Sequence, residues 1–346
     1  MNLIGKSIYG SYKQDFVAIL GPVLFCFGIA FLMNILYPQM HPAWFFPLLM
    51  IIFDVPHIIC SYWVMFTSKD RSVDFRKLIL TLLFFFTAFY WLCAQIHSYW
   101  LVMIFHAHFS AWHFIKQHQA WFYLGMGDIK PSRVGLFINK WGLHAGTYGF
   151  FLITLSGEEA QGWFDMNDLV LLPSFVKPIA EVAVFSLLGS YAIYHTVAAI
   201  RTKKIPLIPH MVWVTGLIIY GMRLIESSLL SGALIVIPHA FSYLFLLQKY
   251  SKAHCRKMFG ISPGKILWIG YILAVIYQFS YMHPLVIGGK FEFNIWIATF
   301  TMAIGATHYL FDRIFWNSKE NPGWKTGVLG SPLQEESIPA TLGKAG

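Results

Sequence analysis

The feature that most restricts the fold of this chain is the recurrence of long, almost uncharged apolar stretches along nearly its whole length. A helix that crosses a bilayer needs about 20 consecutive, mostly apolar residues, and ten stretches meet this requirement. Only 12% of the residues are charged, against about 25% in a soluble domain, which excludes a soluble fold. We predict an all-α, polytopic transmembrane bundle with ten spans at about 15–37, 42–66, 75–96, 98–122, 134–156, 174–200, 205–226, 229–248, 264–286 and 291–315.

Basic residues collect in every second predicted loop, from Lys69 in the second loop to Arg256 in the eighth, whereas the longest of the other loops is acidic, with Glu158 and Asp165. Lys and Arg concentrate on the cytoplasmic side of membrane proteins. This distribution predicts that both termini and the even-numbered loops are cytoplasmic. It also accounts for the net charge of +9, so we predict no nucleic-acid partner.

The chain is predicted to be one transmembrane domain, residues 1–316, followed by a flexible cytoplasmic tail, residues 317–346, which is rich in Gly, Pro, Ser and Lys. The first apolar stretch is too long for a signal peptide and is expected to stay as the first helix. These features predict a multi-pass protein of a bacterial inner membrane. The cysteines occur singly, which predicts buried thiols rather than disulfides or a zinc knuckle: Cys26, Cys60, Cys93 and Cys255.

Ionisable residues inside a membrane are costly, so each of them is a candidate functional residue. After interfacial and loop histidines are set aside, the remaining candidates all fall in even-numbered spans, in the middle or cytoplasmic half. Those five helices run in the same direction, so their side chains are expected to meet at one depth. The candidate metal ligands are Asp54, His57, His106, His113, His195, His239, His308 and Asp312.

Helical phase separates the histidines of the fourth span. At about 100° per residue, His106, His113 and Gln117 share one face, while His108 points to nearly the opposite side. We expect His108, His118 and Gln117 to hydrogen-bond around the ligands rather than to bind a metal.

Carboxylate and imidazole pairs occur one helical turn apart in two other spans. Asp54 and His57 are spaced i,i+3, and His308 and Asp312 are spaced i,i+4, which lets each pair face one point. Bundle proteins hold di-iron and di-manganese centres with such pairs. Imidazole suits several transition metals, and an added carboxylate favours iron or manganese. We predict non-haem iron, one or two ions, with manganese and zinc left open.

No nucleophile elbow, phosphate-binding loop, dinucleotide fingerprint or H-E-x-x-H sequence occurs in the chain. A multi-histidine site within apolar helices instead suits O2 activation next to a lipid-soluble substrate. The expected function is therefore a membrane-bound oxygenase or desaturase-like oxidoreductase. Its expected partners are a hydrophobic small molecule, O2, membrane lipid and an electron-donor protein.

Other interpretations of the same residues stay open. A single intramembrane histidine is often only a packed, hydrogen-bonded side chain, Asp312 could pair with Arg313, and Asp54 could orient a ligand without touching metal. The histidines could also line the pathway of a metal-ion or proton transporter. Two of them could be the axial ligands of a haem in a membrane electron carrier.

Several short motifs resemble those of the membrane-integral Brp/Blh-type carotenoid dioxygenases, which cleave β-carotene to retinal with iron. The resemblance covers about residues 50–245 and implies an iron-dependent oxygenase acting on an isoprenoid or other lipid substrate. The sequence departs from that pattern at Ile58, where the family has glycine, and at Ala199, where it has histidine. It resembles the membrane His-box desaturases more loosely, because their H-x-x-H-H boxes are absent. The similar elements are Asp54-Val-Pro-His57, His108-Phe109 with Trp112-His113, Tyr194-His195 and Ile237-Pro238-His239.

Overall fold

The computed structural model describes residues 2–5, 7–36, 50–68, 75–96, 99–127, 129–156, 170–224, 229–255, 257, 260–287 and 295–315. The predicted tail, 317–346, and the acidic loop with Glu158 and Asp165 lie outside the described residues. The helices are α1 (Tyr12–Ile19), α2 (Gly21–Leu36), α3 (Val55–Thr67), α4 (Phe75–Gln95), α5 (Tyr99–Met126), α6 (Arg133–His144), α7 (Phe150–Leu155), α8 (Val176–Thr202), α9 (Leu207–Gly221), α10 (Leu229–His254), α11 (Pro263–Ile287) and α12 (Ile295–Phe315).

Helices dominate the structure, so the all-α class is confirmed. Two π-helical segments, Met50–Asp54 before α3 and Ala145–Gly149 between α6 and α7, interrupt the α-helical pattern. The described residues also include one parallel strand pair, β1 (Asn2–Ile4) with β2 (Lys204–Pro206). The sequence did not predict this pair, because three residues are too few to show the alternation of a strand.

Four helical segments are long and apolar enough to cross a membrane: Tyr12–Met33, Arg76–Gln95, Val176–Thr202 and Ala233–His254. Shorter apolar helices occupy Ile52–Thr67, Leu207–Gly221 and Pro263–Ile276. These segments make the chain a membrane protein by length and composition. The count of ten spans and the cytoplasmic position of both termini stay predictions. All four cysteines are buried thiols, as the sequence predicted.

The first predicted span, 15–37, is broken into α1 and α2 next to Pro22. Proline has no backbone N–H, so it cannot donate to the carbonyl four residues earlier, at Ala18. The Ser242 hydroxyl on α10 donates to that Ala18 carbonyl at 2.6 Å instead. The break therefore provides a direct bond between the N-terminal helix and α10.

Further hydrogen bonds join the segment before α1 to α1 and to α10. The backbone N–H groups of Ile8 and Tyr9 donate to Asp15 Oδ1 at 3.0 and 2.8 Å. The Tyr9 hydroxyl donates to the Ser242 carbonyl at 2.9 Å, and Lys249 Nζ donates to the Ile8 carbonyl at 2.6 Å. The bonds from Tyr9 and Lys249 connect the N-terminal segment to α10.

Replacement of Gly142 by alanine is expected to destabilise the contact between α6 and α8. A Cβ atom at Gly142 would lie 2.5 Å from Cδ2 and 2.7 Å from Cβ of Tyr191, a side chain that is fully buried. Overpacking of this kind costs about 1–3 kcal/mol, so the melting temperature in detergent should fall. Gly189→Ala on α8 is the matched control, because a Cβ there meets nothing within 4 Å. Equal melting temperatures for the two variants would contradict this prediction.

Candidate metal centre

Four helices surround the candidate site and contact one another in a closed cycle. Helix α3 packs on α10, α10 on α5, α5 on α12, and α12 on α3. Each of these helices carries one buried histidine at the centre of the cycle: His57 on α3, His113 on α5, His239 on α10 and His308 on α12.

The start of α3 determines how His57 is presented. Pro56 lies in the first turn of α3 and cannot donate to the Ile52 carbonyl, which accepts from the Tyr271 hydroxyl on α11 instead. The His57 Nδ1 atom is 3.3 Å from the Phe53 carbonyl in the preceding π-helical segment. Because a carbonyl oxygen only accepts, Nδ1 carries the hydrogen, and the lone pair of Nε2 is directed into the cluster.

The four imidazoles form a closed ring of neighbours. The ring centroids are 4.8 Å apart for His57 and His239 and 4.9 Å apart for His239 and His113. They are 5.1 Å apart both for His113 and His308 and for His308 and His57. All four side chains are at most 5% exposed. We call these four side chains the four-histidine cluster.

The spacing of neighbouring rings in the four-histidine cluster suits ligands of a common metal ion. Imidazole nitrogens bind zinc at about 2.0–2.1 Å, and two such nitrogens at angles of 90–109° would be about 3.0–3.4 Å apart. The His57 and His239 Nε2 atoms are 3.1 Å apart. The same geometry puts neighbouring ring centroids about 4.6–5.3 Å apart, and the observed distances of 4.8–5.1 Å fall within that range.

Several nitrogen atoms of the cluster are buried without a hydrogen-bond partner among the described residues. These nitrogen atoms are Nε2 of His113, Nδ1 of His239 and Nε2 of His308. The Asp54 Oδ1 atom is likewise buried without a hydrogen-bond partner among the described residues. Buried polar atoms are nearly always paired, and an exception indicates an ion or a water. Two groups could hold a metal ion, with ligand atoms within 4.8 Å of one another: His57, His239 and His308, and His113, His308 and Asp312.

Asp312 lies against two members of the cluster. Its Oδ1 atom is 3.6 Å from His308 Nδ1 and its Oδ2 atom is 3.8 Å from His113 Nε2. The Tyr243 hydroxyl on α10 donates to Asp312 Oδ1 at 2.5 Å. A hydrogen bond this short is typical of a charge-assisted pair, and it holds the carboxylate beside the rings.

Ser61 and Asp54, both near His57 in the chain, complete the polar surroundings. The Ser61 hydroxyl is 2.9 Å from His308 Nδ1, and Asp54 Oδ1 is 3.7 Å from His57 Nδ1. Asp54 and Asp312 together place two buried carboxyl groups next to the four imidazoles. A divalent cation in an apolar interior needs such compensating charge, because burial of an unpaired ion is costly.

The Tyr309 ring lies between His106 and the four-histidine cluster. Its Nδ1 atom is 3.1 Å from the Tyr90 hydroxyl, and its ring centroid is 5.7 Å from that of Tyr309. Tyr309 in turn stacks on His113 at 4.6 Å. The structure therefore places His106 next to the centre but outside the ring of four.

The three predicted outer residues of the fourth span have different surroundings. The His108 ring faces Phe151, and its Nδ1 atom is 2.9 Å from the Ile104 carbonyl. His118 Nε2 is 2.6 Å from the Val212 carbonyl on α9. Both amide atoms of Gln117, one turn after His113, are buried without a hydrogen-bond partner among the described residues.

His195 is not brought to the four-histidine cluster. Its Nε2 atom is 2.7 Å from Asn139 Oδ1, and its ring lies 4.6 Å from the His210 ring. The structure therefore does not bring His195, the candidate ligand of the sixth predicted span, to the other four histidines, and its role as a ligand stays a prediction. Helix α8 packs on α6 and on the π-helical segment Ala145–Gly149, which directs His195 toward Asn139.

Sequence reasoning missed three side chains that contact the cluster, namely Tyr243, Ser61 and Tyr309. The spacing that could have found two of them is one helical turn: Tyr243 is four residues after His239, and Ser61 is four residues after His57, whereas Tyr309 directly follows His308. Residues at i and i+4 share a helix face. Uncharged hydroxyl residues are common in membrane helices, so this spacing alone would not have singled them out.

No known protein family, curated protein or solved structure matches the chain. The resemblance to the Brp/Blh-type dioxygenases therefore stays a prediction that rests on short motifs. Of the four motifs, those with His57, His113 and His239 place their histidine in the cluster, and the Tyr194-His195 motif does not.

Proposed function

We propose that this chain is a membrane-bound non-haem iron oxygenase or desaturase-like enzyme that acts on a hydrophobic substrate. The observation that carries the proposal is the four-histidine cluster, one imidazole from each of four mutually packed helices, with His57 and His239 Nε2 3.1 Å apart. We further propose a single iron ion with His57, His113, His239 and His308 as its ligands. Imidazole ligands with nearby carboxylates favour iron over a copper thiolate site.

The roles of the protein residues follow from their contacts. The Phe53 carbonyl and the Ser61 hydroxyl orient His57 and His308, and such outer contacts usually fix which ring nitrogen binds a metal. The carboxylates of Asp54 and Asp312 balance the charge of the ion. Iron, when bound, would supply O2 activation to a substrate that has no reactive group of its own.

Aromatic side chains separate the cluster from water. Tyr309 stacks on His113, and the Phe114 ring lies 4.3 Å from the His239 ring. Exclusion of water protects reactive oxygen chemistry from side reactions and gives the apolar surroundings that a hydrocarbon substrate needs. The partners in this proposal are a lipid, fatty acyl or isoprenoid substrate, O2 and an electron-donor protein.

The proposal also includes ten spans with both termini in the cytoplasm, so that the site opens toward the cytoplasm. The Lys and Arg distribution supports this orientation. Protease accessibility of a terminal tag in sealed inside-out and right-side-out vesicles tests it, and protection of the tag in inside-out vesicles would overturn it.

Purified protein is expected to contain about one iron per chain by elemental analysis, because the spacing of the rings fits one ion. It should consume O2 only when iron, a reductant and a lipid extract are all present. A preparation without stoichiometric iron or manganese would overturn the proposal. Metal uptake by reconstituted vesicles without O2 consumption would support a metal-ion transporter instead, and a Soret band would support a haem carrier.

A further inference from the structure

Two cations follow residues of the metal centre within one helical turn along the chain. Lys116 is three residues after His113 on α5, and Arg313 follows Asp312 on α12. Both side chains are exposed, and they interact electrostatically with each other. Among the described residues, neither has a carboxylate within ion-pair distance, since the carboxylate pairs found there involve histidines. We call Lys116 and Arg313 the cation pair.

Like charges next to each other repel, and the repulsion grows where apolar surroundings lower the effective dielectric constant. Lys116 Nζ contacts only neutral groups in the described structure, donating to Gln119 Oε1 at 3.3 Å and lying 5.6 Å from the centre of the Tyr148 ring. A bound anion would remove this repulsion and would accept hydrogen bonds from both cations. The cation pair therefore favours an anionic ligand.

A polar side chain whose amide atoms are buried lies next to Lys116 in the chain. Gln117 is four residues after His113, on the same helix face, and directly follows Lys116. Its amide nitrogen and oxygen are buried without a partner among the described residues. An unpaired buried amide costs free energy that a ligand would recover, so Gln117 is a second, independent indication of a polar ligand at this point.

An aromatic surface begins beside the cation pair. Trp112, one turn before Lys116, stacks on Phe109 at 5.5 Å. The Phe109 ring lies 5.6 Å from that of Tyr309, which stacks on His113. These rings form a continuous row of aromatic contacts that runs from the half-buried Trp112 and Phe109 to the buried Tyr309 at the four-histidine cluster.

We infer that the substrate is an anionic amphiphile, whose carboxylate or phosphate head group binds Lys116 and Arg313 and whose apolar chain lies on Phe109 and Trp112. This inference rests on the proposed function. The head group would hold the chain about one helical turn from the cluster, a distance of about 5 Å along the axis. Anchoring by a head group fixes which part of a long chain reaches the metal.

The test measures binding alone, with metal-free and iron-loaded protein in neutral detergent. The probes have one chain length and differ in head group: palmitate, lysophosphatidic acid with a palmitoyl chain, and hexadecanol. Charged hydrogen bonds contribute enough for about a 10-fold difference in affinity. We expect palmitate, lysophosphatidic acid or both to bind at least about 10-fold more tightly than hexadecanol, and the tighter of the two identifies the head group.

The double variant K116Q/R313Q is expected to lose this preference while keeping its iron content, which shows that it is folded. K177Q, at an exposed lysine near the start of α8, is the matched control and should keep the preference. Equal affinity of hexadecanol and both anions, or equal loss in K177Q, would overturn the inference and leave the proposed function intact. Absence of iron in a protein that still prefers anions would overturn the proposed function alone.

Discussion

Replacement of His57 by alanine is expected to abolish stoichiometric iron binding and all metal-dependent activity. His57 Nε2 faces His239 Nε2 at 3.1 Å, and its ring also contacts that of His308. Loss of a ligand should reduce affinity by more than the roughly 10–100-fold that follows loss of an outer contact. His239→Ala should have the same effect. Iron content per folded chain, measured by elemental analysis, checks both variants.

Two histidine variants serve as controls for this experiment. His108→Ala removes a ring on the opposite side of α5, and His195→Ala removes one that contacts Asn139. Both are expected to keep their iron. The His195 variant is the sharper control, because the sequence pattern alone groups His195 with the ligands and the structure does not. Retention of iron by His57→Ala would contradict the four-histidine centre.

Replacement of Asp312 by asparagine is expected to lower iron affinity by about 10–100-fold, the usual effect of losing an outer carboxylate. The amide keeps the shape of the side chain but removes the negative charge beside His113 and His308. Tyr243→Phe removes only the hydroxyl that donates to Asp312, so its effect should be smaller. Iron titration with a competing chelator measures both affinities.

The critical result is which of the two variants, Asp312→Asn or Tyr243→Phe, loses more iron affinity. If the carboxylate balances the charge of the ion, Asp312→Asn must weaken binding more than Tyr243→Phe does. Equal affinity in Asp312→Asn and the unchanged protein would show that the carboxylate neither binds nor compensates the metal. Melting temperatures of the two variants in metal-free form separate a loss of affinity from a loss of folding.

A large part of the site could be predicted because it depends on local rules. The cost of placing charge in a membrane marks the candidate residues, and the direction of the spans predicts that those on alternate helices share a depth. The four histidines of the cluster are all among the candidates. The i,i+4 spacing of His308 and Asp312 likewise predicts that they face one point, and their 3.6 Å distance agrees.

The rest depends on contacts between helices that are far apart in the chain. His195, like His239, lies in the middle or cytoplasmic half of an even-numbered predicted span, yet only α10 packs within the cycle of four helices. Nothing in the amino-acid sequence alone shows which of α8 and α10 packs against the other three helices. Tyr243 becomes a partner of Asp312, 69 residues away, only because α10 and α12 meet.

Apolar length, charge placement and helical period are properties of neighbouring residues, so the amino-acid order alone established the all-α membrane class and the set of polar side chains available for a site. Selection among those side chains needed the fold. Helical period states which residues share a face, but which faces meet depends on side-chain packing across the whole bundle. That packing joined His57, His113, His239 and His308 into one cluster and sent His195 to a different partner.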